Sequence, residues 1–124
     1  MVGRGSFRFV CLTPSRRQAI VRDLVWASRV YSGDDAGPPP SARAVHLRRV
    51  AEKDADDKNF ETVSLLSQLA LRLLKREPVT DLIDPFTRVV LRARLGQYGR
   101  DGARLLDWDG PTGFRLAGNA GGAN

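Results

Sequence analysis

The sequence predicts a mainly α protein, a small single-domain helical bundle of four to five helices with one short N-terminal strand. Apolar residues recur at helical spacing in four separate windows. Cap residues precede these windows, and Gly or Pro follows three of them. A single short window, near the N-terminus, alternates with the period of a strand. The chain has 124 residues, 42% apolar and 27% charged, which suits one globular domain and excludes a wholly disordered or collagen-like chain. No apolar run approaches the roughly 20 residues of a membrane span.

Residues 6–12 alternate, with Phe7, Phe9 and Cys11 on one side and Ser6, Arg8, Val10 and Leu12 on the other. Thr13-Pro14-Ser15 ends this strand, and Ser15 is placed to cap a first helix over 16–31. Ile20, Leu24, Ala27 and Tyr31 share one face of that helix, which Val21 and Val25 widen. Its polar strip is narrow: Gln18, Arg22 and Arg29, with Trp26 at the edge. The Gly and Pro content of residues 32–40 makes them a linker, stiffened by three prolines at its end. Ser41 caps a second helix over 42–53 with the stripe Ala44, Leu47, Val50 and Ala51, and the charged run 52–58 reads as solvent-exposed.

The central core helix is expected over 60–76. Asn59 caps it, Glu61 suits its first turn, and Pro78 stops it. Leu66, Leu69, Ala70, Leu73 and Leu74 form a broad apolar arc together with Phe60, Val63 and Leu71. Asp84-Pro85 then opens a helix that Gly96 ends after Leu95. This helix has two apolar sides: Phe86, Val89, Val90 and Ala93 as the main one, Leu91 and Leu95 as the second. One or two further helical turns fall within 97–110, around Leu105-Leu106-Asp107-Trp108. The domain is read as 1–116, followed by a flexible Gly/Ala/Asn tail over 117–124, and no internal repeat is found.

Net charge is +6, with 17 Arg against 3 Lys. Arg binds phosphate and carboxylate bidentately, so this bias suits a nucleic-acid partner, although GC-rich coding produces the same ratio. The excess positive charge favours polyanionic partners in either case. The strongest candidate surface is the stretch holding Arg88, Arg92, Arg94, Arg100 and Arg104 against one acid, Asp101. Arg88 and Arg92 lie one turn apart, and Tyr98 and Trp108 flank the stretch as possible base-stacking platforms. Arg16, Arg17, Arg22 and Arg29 form a second basic group, of which Arg22 and Arg29 complete the nucleic-acid-binding set. The competing reading is a solvated helix face, with Tyr98 and Trp108 in the core as the cover for Leu91 and Leu95. Left uncovered, Leu91 and Leu95, with Trp26, would instead bind a partner, a second copy of the chain being the simplest.

Catalytic and metal chemistry find little support. Cys11 and His46 are the only thiol and imidazole, and neither is expected to be catalytic. One Cys and one His cannot supply the usual zinc ligand sets. Asp54, Asp56, Asp57 and Glu61 suggest a calcium loop, but Lys58, Asn59 and Leu65 stand where an EF-hand needs an oxygen ligand, Gly and Glu. No phosphate loop, dinucleotide fingerprint or nucleophile elbow is present, and no cofactor is expected. The lone cysteine and the absence of a signal-peptide pattern at the N-terminus suggest an intracellular rather than a secreted protein.

The order strand, Pro-Ser turn, Arg-rich helix over 6–31 resembles the opening of a ribbon-helix-helix DNA-binding domain. The resemblance implies a dimer with Ser6, Arg8 and Val10 facing the DNA groove. The linker over 32–40 is much longer than the tight turn of that family. The leading functional expectation is a non-enzymatic nucleic-acid-binding protein that uses an Arg-rich surface as a dimer. The alternative is a protein-interaction or assembly module, such as a viral or phage structural or accessory protein, whose partner offers an acidic surface.

Overall fold

Pro14 opens helix α1 (Pro14–Tyr31), where its missing N–H would have had no intrahelical partner. Thr13, rather than Ser15, is the N-cap, and its Oγ1 accepts from the Arg16 N–H at 3.3 Å. In the computed structural model, which describes residues 12–110, four more helices follow: α2 (Ala42–Asp56), α3 (Phe60–Leu74), α4 (Pro85–Arg94) and α5 (Arg100–Leu105). A 3₁₀ turn, Gly96–Tyr98, joins α4 to α5. The architecture is mainly helical with five helices, as the periodicity predicts, and no sheet occurs among the described residues. The predicted strand falls almost wholly outside the described residues, as do Cys11 and the 117–124 tail; so do the strand positions that carry the ribbon-helix-helix resemblance.

Helix caps follow the local chemistry. The Ser41 hydroxyl accepts from the Ala44 N–H, and the Asp84 carboxylate accepts from the Thr87 N–H at 2.8 Å. The Asp84 bond, chiefly through the Thr87 backbone, holds that carboxyl below its ordinary pKa. Asn59 stands at the N-cap of α3 without a side-chain cap bond. Helix α3 ends at Leu74, two residues short of the expected 76, in a C-terminal motif that places Arg76 at φ 60°. The Glu77 N–H donates to the Arg72 carbonyl and the Arg76 N–H to the Leu73 carbonyl. These two bonds make a Schellman motif with Arg76 at the position glycine usually fills.

Helix α1 packs against α2, α3 and α5, so it shares the centre of the molecule with α3. Leu69 and Leu73 of α3 are fully buried, but Phe60, Leu71 and Leu74 of its expected apolar arc are exposed. That arc is wider than the contact its neighbours make with it. Helix α4 is rotated relative to expectation. Phe86 and Val89 are 78% and 68% exposed, whereas Leu91 and Leu95 are 0% and 1% exposed. Thr87, Leu91 and Leu95, spaced four apart, form the inward stripe. Turning Phe86 inward would expose those leucines and separate Arg88 and Arg94 from the carboxylates they meet. Helix α5 approaches the end of α4 closely at Gly102, where an added Cβ would lie 2.7 Å from the Leu95 carbonyl oxygen.

Candidate anion-binding groove

The arginines of the 88–104 stretch serve the fold more than the surface. Arg88 Nη2 donates to Asp107 Oδ1 at 2.6 Å, and Arg104 Nη1 reaches Asp107 Oδ2 at 3.4 Å. Arg94 binds Asp54 bidentately, through Nε at 2.8 Å and Nη2 at 2.6 Å. Asp54 is buried, so the charged run 52–58 is not wholly solvated. Hydrogen bonding to Asp54 outweighs burial and holds the Arg94 pKa above its ordinary value. Of the five, Arg92 and Arg100 are exposed.

The predicted stacking aromatics are core residues. Tyr98 is buried and its hydroxyl donates to Asp23 Oδ2 at 2.8 Å; Ser41 Oγ donates to Asp23 Oδ1 at 2.9 Å. Burial first, then the bond to Asp23, pushes the Tyr98 phenol well above its ordinary pKa. Trp108 is buried with Leu91, Leu95, Leu105 and Leu106 in the same core. The chain therefore covers Leu91 and Leu95 itself, and their apolar side needs no second copy. Trp26 is buried too, and its Nε1 donates to the Gly37 carbonyl at 3.0 Å. Leu91 and Leu95 are thus corrected from partner-binding to core residues, whereas Trp26, though buried, lines a groove.

The Trp26 bond has a structural consequence. With Arg29 Nη2 donating to the Asp35 carbonyl at 3.4 Å, it ties the linker alongside α1. The stiff proline segment then forms one wall of a groove of about 590 Å³. Helix α1 supplies Val21, Val25 and the rim arginines, the linker Pro38 and Pro40, and the end of α3 Leu73 and Leu74. Leu74 is 56% exposed, an apolar side chain held at the open part of the groove.

Four arginines line the groove: Arg17, Arg22, Arg29 and Arg76. No acidic residue lines it, and all 14 Asp and Glu of the chain lie within the described residues. Arg22 Nε lies 4.0 Å from the carboxylate of Asp23, and Arg29 meets only a carbonyl. Arg17 and Arg76 have no carboxylate partner among the described residues. Both guanidinium groups instead lie over the Trp108 ring, at 4.8 Å and 5.6 Å from its centroid. Arg17 is only 8% exposed, and burial, then the charge of Arg76, lowers its pKa. Two like charges are thus held together, one of them largely desolvated, with no counter-charge among the described residues. An anion seated between them would supply it.

Arg22 and Arg29, placed in the nucleic-acid-binding set from sequence, both belong to this groove. Arg17 was visible only as part of the second basic group. Arg76 stands at the C-terminal end of the α3 apolar repeat, and nothing in local sequence brings it beside Arg17. His46 is exposed on α2, away from the groove lining. Among the described residues no group of three or more His, Cys, Asp or Glu could hold a metal ion, and no helix is long and apolar enough to cross a membrane. Compared with protein-family models, curated proteins and solved structures, the chain matches none.

Proposed function

We propose that this chain is a non-enzymatic binding protein whose partner is anionic and is held in the α1 groove. The observation that carries this reading is the Arg17–Arg76 pair, two cations over one indole with no carboxylate partner among the described residues. Charges that serve the fold alone are matched, as Arg94 is by Asp54. Unmatched and partly desolvated charges are what a binding site for a negative group requires. Nucleic acid is the first partner to test, because the excess of Arg over Lys favours phosphate recognition. The arginines without carboxylate partners favour α1 over the 88–104 stretch as the surface for it. An acidic protein surface, the partner of an interaction or assembly module, meets the same charges, and the apolar lining speaks for it.

The chain carries its own reporters. Its two tryptophans are Trp26, in the groove lining, and Trp108, beneath the two guanidinium groups. Tryptophan fluorescence of the full chain should change on titration with a single-stranded oligonucleotide or an oligoglutamate, more strongly at low salt than at high salt. Removing two phosphate contacts with Arg17→Gln and Arg76→Gly should shrink the salt slope for the single-stranded oligonucleotide by about 1.4. Failure of every polyanion to bind the wild type at low salt would overturn the reading.

A further inference from the structure

We infer that the groove seats a short segment of a partner protein, acidic at both ends and apolar between. This inference rests on the anionic-partner reading and names the partner's chemistry. Along α1 the groove lining begins and ends with arginine and carries two valines between them. Arg17, with Arg76 over the same indole, and Arg29 are the first and last lining residues of α1; Val21 and Val25 lie between them, as does Arg22, which has the Asp23 carboxylate 4.0 Å away. Arg17 and Arg29 are twelve residues apart on one helix, so the ends are about 18 Å apart at 1.5 Å per residue. An extended segment of about five or six residues spans that distance.

The lining also discriminates between polyanions. Sequence-tolerant binding of single-stranded nucleic acid uses open aromatic faces on which bases stack. Here Trp108 is buried under Arg17 and Arg76, and Trp26 is buried and committed to Gly37. What the groove offers is aliphatic: Val21, Val25, Leu74 and the prolines. Aliphatic side chains flanked by carboxylates complement that surface, because apolar contact excludes water from the ion pairs at each end. The exposure of Leu74 beside Arg76 fits an apolar side chain from outside the chain.

The test uses the full chain and tryptophan fluorescence. The probe is a peptide with Asp-Glu at each end of a Leu-Ile-Val centre. One control replaces the centre by Ser-Gly-Ser, and the other replaces the ends by Asn-Gln. Both controls should bind at least tenfold more weakly than the probe. Leu74→Ser, at an exposed position that should leave the fold intact, should weaken the probe several-fold and leave binding of the Ser-Gly-Ser control unchanged. Equal binding of the probe and the Ser-Gly-Ser control would overturn the inference and leave a simple anion site. An oligonucleotide that binds while the probe does not would overturn it in favour of nucleic acid, with the anionic-partner reading intact. Failure of all of them would overturn both.

Discussion

Arg94 and Arg17 are both drawn from the surface, but only Arg94 meets a carboxylate there. Arg94 belongs to a region where cations are matched: Asp54 takes Arg94, and Asp107 takes Arg88 and Arg104. Arg17 meets no carboxylate among the described residues, and Arg76 adds a second positive charge beside it. An Arg-rich sequence thus contains two kinds of arginine, one that fixes helix orientation through a carboxylate and one without a carboxylate, which the proposed function assigns to a partner. Density of Arg along the chain does not distinguish them; the positions of the acids do.

The comparison can be broken by mutation, and the effects should grade with burial and pairing. Leu69→Ala, in the core both regions share, should cost on the order of 2–5 kcal/mol in chemical denaturation. A cost below about 1 kcal/mol would mean that α3 is peripheral. Arg94→Ala leaves Asp54 buried without its partner and should cost about 2–4 kcal/mol, below the fully buried case because Arg94 keeps some contact with water. Tyr98→Phe removes one of the two hydroxyls that satisfy Asp23 and should cost about 1.5–3 kcal/mol. Because the Tyr98 pKa is raised, its contribution is fully present below the phenol's ordinary value near 10 and is lost only as pH rises through the higher folded value. Denaturation of Tyr98→Phe and wild type between pH 6 and pH 9 should therefore differ by a constant amount.

The smallest effect on stability is expected in the groove. Arg76→Gly places the residue preferred at φ 60° and removes a cation that no acid balances, so stability should stay within about 0.5 kcal/mol or rise. Anion binding should fall in the same variant. A large loss of stability would show that Arg76 serves the fold as Arg94 does.

Much of the helical layout was legible because short-range rules govern it. Ser41 and Asp84 cap where expected, and the apolar repeats locate α2 and α3 to within a few residues. Rotation of α4 was not legible. Its larger apolar side, Phe86, Val89, Val90 and Ala93, is the one the sequence points inward, whereas with Leu91 and Leu95 in the core Arg94 and Arg88 meet the distant Asp54 and Asp107. The groove was half legible: Arg22 and Arg29 stand out on the polar strip of α1, whereas Arg76 reaches Arg17 only through the packing of α3 and Trp108. Trp26 at the strip's edge suggested a contact surface, but the contact it makes is with the chain's own linker.

The central claim is that the unmatched arginines of α1, not the matched ones of the 88–104 stretch, receive the partner. Proton–nitrogen correlation spectra of the full chain, recorded while the acidic–apolar peptide is added, test it most directly. The account predicts that the two indole N–H signals and the backbone signals of Arg17, Val21, Val25 and Arg76 shift together and saturate. Shifts confined to α4 and α5 around Arg92 and Arg100, with both indole signals still, would contradict it.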